Sequence, residues 1–129
     1  MVIDSSALIA IISGEPEERE FRRAIEIATS RLLSASTRVE TGIVALGRKG
    51  EAGLEQIEAL LESLRIDVVP VSNDHAKHAI DAFRRFGKGR HPAALNFGDC
   101  FSYALAKATG APLLFKGDDF SQTDIKRAV

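Results

Sequence analysis

The chain has 129 residues, 45% of them hydrophobic, which suffices for one cored domain and falls short of two ordinary ones. Seventeen Lys and Arg against eighteen Asp and Glu leave it near neutral, so no global basic field marks a nucleic-acid binder, although a local basic patch is compatible with that balance. The single cysteine, Cys100, excludes an internal disulfide or a multi-cysteine zinc site, and no apolar run reaches membrane-spanning length.

Met1-Val2-Ile3 reads as a short strand ending at Asp4, with no basic stretch ahead of an apolar one, so a cytoplasmic domain without a signal peptide is expected. Ser5 to Ser13 reads as a helix broken by Gly14 and Pro16, and Glu17 to Thr29 as an amphipathic helix carrying Phe21, Ile25 and Ala28. Arg31 to Ser34 is a second strand. A helix from about Ser36 to Arg48 stops at Gly50, and Leu54, Ile57, Leu61 and Leu64 mark the next one. Val68 to Val71 is β-rich, Asn73 to Phe86 is helical, and Gly87 to Ala94 is a loop. Phe97, Cys100, Phe101, Ala104, Leu105 and Ala108 form an apolar stripe closed by Gly110, and Leu113 to Phe115 is the last strand. Short strands alternating with helices predict a parallel sheet covered on both faces, within one domain over residues 1–129.

Asp4, Glu40, Asp99 and the Asp118–Asp119 pair each lie where a strand meets a helix or where a helix begins. Each has an ordinary structural role open to it. Asp4 can cap a helix, Thr37-x-x-Glu40 and Asn96-x-x-Asp99 fit or approach the capping box, and Asp118 and Asp119 suit a turn after Gly117. Topology adds a second role. Helices that follow a parallel strand, and helices that feed the next one, all start at the sheet's carboxyl edge, where open α/β sheets bind ligands. Carboxylates gathered there without His or Cys suit Mg²⁺ or Mn²⁺, and such a site acts on phosphodiesters. No phosphate-binding glycine loop or nucleophile elbow is present to suggest otherwise. His75 and His78, three apart on a helix, read more simply as a solvated face than as ligands.

These residues fall into motifs. Val2-Ile3-Asp4-Ser5-Ser6-Ala7, Ser36-x-x-x-Glu40, Asn96-Phe97-Gly98-Asp99-Cys100 and Leu113-Leu114-Phe115-Lys116-Gly117-Asp118-Asp119-Phe120 together resemble, in order and spacing, a PIN-domain ribonuclease of the VapC toxin type. The likeness runs from Met1 to about Ile125. It implies a PIN-like α/β/α sandwich with a central parallel sheet of four to five short strands. It also implies metal-dependent endonucleolytic cleavage of RNA, a homodimer and a cognate antitoxin. Carried over by motif position, Asp4 and Asp99 are the principal metal ligands, Glu40 is a further ligand or water-positioning base, and Ser6 supports Asp4. The fourth acid is Asp118, nearer the strand end, with Asp119 as the alternative.

The dense basic run Arg84-Arg85-Phe86-Gly87-Lys88-Gly89-Arg90-His91 offers Arg84, Arg85, Lys88 and Arg90 to RNA phosphates, with Phe86 or His91 as a stacking surface; a solvated helix end explains it equally. Lys116 is a further candidate for the scissile phosphate, and Cys100 reads as a small core residue. Two other classes remain to be weighed. A receiver-type signalling domain needs several acids after the first strand and a mid-chain phosphoacceptor Asp, which this chain lacks. A catalytically silent module that binds RNA or a partner has no use for the intact acids.

Overall fold

The computed structural model describes residues 1–129. Four strands form a parallel sheet in the order β3-β2-β1-β4: β1 (Val2–Ile3), β2 (Leu32–Ser34), β3 (Asp67–Val69) and β4 (Leu113–Leu114). The helices are α1 (Ser5–Ile12), α2 (Glu18–Ile27), α3 (Ala35–Ser63), α4 (Asn73–Phe86) and α5 (Phe97–Thr109), with a 3₁₀ turn at Phe120–Gln122. The expected α/β/α sandwich is therefore present.

Two-residue periodicity explains how strands this short hold two layers together, because adjacent side chains leave a strand on opposite faces. Ile3, Leu33 and Leu114 point into a core shared with α1, α2 and α3. Val2, Leu113 and Phe115 point the other way, into a core shared with α4 and α5. All six are 0–1% exposed, so β1, β2 and β4 are buried on both faces, while the edge strand β3 is more exposed.

The sequence reading of a helix break at Gly50 corresponds to a backbone kink. Gly50 (φ 63°, ψ −153°) leaves helical geometry and divides α3 into two segments that otherwise run on as one element. One local expectation fails. Thr37 and Glu40 form no capping box, because β2 passes straight into α3 at Ala35 and puts both residues inside the helix. No helix is long and apolar enough to cross a membrane.

Candidate active site

Asp4 follows β1 directly and is 3% exposed. It caps α1, its Oδ2 accepting from Ser6 N at 3.0 Å and Ser6 Oγ at 2.7 Å. Its other oxygen, Oδ1, accepts from Ser102 Oγ at 2.6 Å. A hydroxyl has one proton, and Ser102 gives its proton to Asp4, so the 3.2 Å contact with Thr37 Oγ1 must be donated by the threonine. Ser6 Oγ in turn accepts from the backbone N–H of Lys116 at 3.0 Å, tying the ends of β1 and β4 together. A buried carboxylate is thus held in one orientation by three donors from two helices, α1 and α5.

Glu40 lies in the second turn of α3. Its Oε1 accepts from Ser5 Oγ. Its Oε2 lies against the backbone of Gly98 in the first turn of α5, where an added Cβ would fall inside that oxygen and 2.7 Å from Glu40 Cδ. Gly98 is needed here for close approach, since it has no positive φ to accommodate.

Asp99 does form the capping box expected with Asn96: its Oδ2 accepts from Asn96 N at 2.9 Å while Asn96 Oδ1 accepts from Asp99 N at 2.9 Å. Capping uses one carboxylate oxygen and leaves the other without a protein donor. Burial pushes the Asp99 carboxyl up to about 7; the Asn96 N–H opposes the rise, and the charges of Asp4, Asp119 and Glu40 add to it. In both Asp4 and Asp99, helix capping leaves the carboxylate within the acidic cluster.

Of the adjacent aspartates, Asp119 is the one whose charge bears on Asp99, whereas the sequence-based preference was for Asp118. Gly117 (φ 94°) turns the chain sharply after Phe115 and Lys116, and Asp119 opens the 3₁₀ turn that follows, its side chain making no cap hydrogen bond.

The donor set is all carboxylate and hydroxyl oxygen, which suits a hard divalent cation. No three acidic side chains stand close enough to enclose an ion as they are. Repulsion among like charges keeps carboxylates apart, and a cation would have to draw them in. His75 and His78 belong to no ligand-like cluster either.

The basic candidates are mostly committed elsewhere. Arg84 pairs with Asp81 at 3.1 Å, and Arg85 pairs with Asp81 and Asp124 and donates to Tyr103 Oη at 3.2 Å. Arg90 Nε donates to the Arg84 carbonyl at 3.2 Å. Phe86 is half-buried between His91 and Tyr103 with Arg85 over its ring, so it is not a free stacking surface. Lys88 is exposed and unpaired. Lys116 Nζ pairs with Glu15, and with Glu17 at 3.2 Å. Sequence reasoning missed Ser5 and Ser102. Ser102 was detectable as a hydroxyl one turn after Asp99, inside an apolar stripe where it had to find a partner.

The PIN domain family model matches residues 1–126. Ribonuclease VapC30 of Mycobacterium tuberculosis is 50% identical over 125 residues, covering 97% of this chain and 95% of that protein. Ribonuclease VapC of Mycolicibacterium smegmatis is 47% identical over 125 residues, covering 97% of each chain. Among solved structures, M. tuberculosis VapC20, described as a Sarcin-Ricin loop cleaving toxin, superposes with a TM-score of 0.75 at 20% identity over 96% of this chain and 95% of that one. VapBC-1 from nontypeable Haemophilus influenzae gives 0.72 at 22% identity, over 98% and 94%. Those two show the fold; the close sequence relatives and the family model extend the likeness to the whole chain, which belongs to the PIN domain family, among its VapC ribonucleases.

Proposed function

We propose that this chain is the toxin of a type II toxin–antitoxin module, an endoribonuclease that hydrolyses RNA phosphodiester bonds with a divalent cation, Mg²⁺ or Mn²⁺, at the carboxyl edge of the sheet. The observation that carries the metal dependence is the rise of Asp99 to about 7 in a site whose neighbouring charges are all acidic. Such a site is short of positive charge, and no Lys or Arg pairs with any of its four acids. The ribonuclease names of the close relatives support the RNA substrate. Two of the structural neighbours are toxin–antitoxin complexes, which supports a cognate antitoxin as partner.

In this reading Asp4 and Asp99 are the principal ligands, and Glu40 and Asp119 complete the set. A bound divalent cation supplies Lewis acidity toward the phosphate and lowers the pKa of a coordinated water. Asp4 arrives pre-oriented, since Ser6 and Ser102 fix both its oxygens. Glu40 Oε1 is held by Ser5, which leaves Oε2 facing the first turn of α5 to orient a water or take its proton. The free oxygen of Asp99 belongs to a carboxyl raised by burial and by its acidic neighbours, and a cation would relieve both effects.

One exposed apolar face is available to a second copy of the chain. Ile80, Phe83, Phe97 and Phe101 line an all-apolar groove of about 420 Å³ between α4 and α5, with Phe97 78% exposed. Homodimerisation through this face is part of the proposal.

The test measures cleavage of structured RNAs with Mg²⁺, with EDTA, and with an Asp99→Asn variant. Cleavage confined to the wild type in Mg²⁺ is expected. Equal activity in all three arms rejects the metal-dependent mechanism.

A further inference from the structure

We propose that the cleft between α1 and α3 is a subsite for the RNA backbone beside the cut, with Arg48 as its phosphate-binding residue. This rests on the ribonuclease reading above and gives that site a direction along the substrate.

The cleft, about 280 Å³, is lined by Ser5, Ser6, Glu15, Val44, Arg48 and Lys116 among others. Ser5 and Ser6 are the residues that hold Glu40 and Asp4, so the cleft opens from the acid cluster itself. Glu40, Val44 and Arg48 recur at four-residue spacing on α3 and share one helix face. Two turns of helix place Arg48 about 12 Å along the axis from Glu40, beyond reach of the phosphate being cut and within reach of a neighbouring one.

Charge selects Arg48 from the cations nearby. Lys116 lines the same cleft but is paired with Glu15 and Glu17. Arg48 is exposed and takes part in none of the protein's ion pairs. The basic residues that the sequence put forward, Lys88 apart, are bound into the junction of α4, α5 and the C-terminal segment or to Glu15 and Glu17. A polyanion drawn toward four carboxylates needs a fixed cation nearby. An unpaired guanidinium, with its planar fork of donors, is the group best shaped for a phosphodiester.

The experiment reads binding, so it does not depend on catalysis. A fluorescently labelled single-stranded RNA of mixed sequence is titrated in EDTA with Asp99→Asn protein, alone and combined with Arg48→Ala, Arg48→Lys or Arg23→Ala. Arg23 is an exposed, unpaired arginine on α2 that controls for net charge. Arg48→Ala is expected to weaken binding about fivefold and to lower the salt slope by about 0.7, the value for one phosphate contact on a single strand. Arg48→Lys recovers part of the loss and Arg23→Ala changes neither quantity. In an Asp99 background capable of cleavage, Arg48→Ala raises KM. Unchanged RNA affinity and salt slope overturn the proposal, as does an Arg23→Ala effect equal to that of Arg48→Ala. Loss of antitoxin binding with RNA binding intact also overturns it and assigns the cleft to the protein partner. Failure of wild-type cleavage in Mg²⁺ bears on the ribonuclease reading alone.

Discussion

Two carboxylates packed against α5 have been driven in opposite directions. At the amino end, Asp99 is pushed up to about 7 by burial and, against the Asn96 N–H, by Asp4, Asp119 and Glu40. Farther along, Asp124 meets Tyr103 and Lys107 of α5 and Arg85 of α4. Burial works to raise it too, but hydrogen bonds from Lys107 (2.6 Å) and Tyr103 (2.7 Å), with the charges of Lys107 and Arg85, bring it down to about 2. One region has its counter-charges built in and fastens the C-terminal segment to the helices. The other withholds them. An acid with internal partners stabilises the fold, whereas an acid among acids costs stability, which the proposed cation would offset.

The largest expected effect breaks that contrast at its functional end. Asp99→Asn should lower RNA cleavage by at least about 10³-fold, as the loss of a proposed metal ligand requires. The same substitution should raise the stability of the metal-free protein. Asp124→Asn should do the reverse, leaving cleavage near wild type and costing about 1 kcal/mol in a partly exposed, charge-assisted network. The pH profile separates the two further. Asp99 has an ordinary value of 3.8 and a folded value of about 7, so the folded state holds a proton that the unfolded state has released; metal-free stability falls as pH rises from about 4 to 7. The ceiling on that loss is about 4 kcal/mol at 1.36 kcal/mol per pH unit. Asp124, lowered from 3.8 to about 2, contributes stability above pH 4 that is lost as pH falls toward 2. Thermal denaturation in EDTA should therefore show a maximum near pH 4. Asp99→Asn flattens its upper limb and Asp124→Asn its lower one, and excess Mg²⁺ shifts the maximum upward.

The next effect concerns spacing within the acid cluster. Gly98→Ala would drive a methyl group into the Glu40 carboxylate, and displacement by about 1 Å at a catalytic group costs on the order of 100-fold. Glu40→Asp shortens the acid by one methylene and relieves the overlap. The double variant Gly98→Ala/Glu40→Asp should thus be no worse in kcat than Glu40→Asp alone. Strictly additive losses would show that Gly98 serves the helix rather than the site.

Much of this contrast was legible in the sequence, and unevenly so. Asn73–Phe86 is the helix the sequence predicts, and the Gly50 break and the Gly110 cap (φ 67°) follow from glycine's access to left-handed backbone. Asp4, Glu40 and Asp99 could be placed near one another from the sequence because topology brings strand ends and helix starts to one edge, and the charges of Asp4 and Glu40 do bear on Asp99. Three things were hidden. The capping box at Thr37 failed because the start of α3 is set by β2 pairing with β1 and β3, contacts between residues far apart in sequence. The supporting hydroxyl of Ser102 reaches Asp4 across 98 residues, a distance no local pattern records. For the basic run at Arg84–His91, the local partner Asp81 was within reach of the sequence, but the second partner of Arg85, Asp124, lies 39 residues beyond it.

The smallest expected effect lies within one dipeptide and decides which of two neighbouring acids belongs to the deficient region. Asp119 adds its charge to the rise of Asp99, whereas Asp118 is not among the groups that do so. Both are exposed, so neither substitution should unfold the protein or change its stability by more than about 0.5 kcal/mol. Asp119→Asn should lower cleavage about tenfold, weaken Mg²⁺ binding measured by calorimetry, and bring the Asp99 titration, followed by carboxyl NMR in EDTA, below its wild-type value. Asp118→Asn should leave all three within twofold or within error. A larger effect from Asp118 would return the fourth position to the residue nearer the strand. Gly117 would then have to swing that side chain inward when the cation binds, since its φ of 94° now directs the chain toward Asp119 and the 3₁₀ turn.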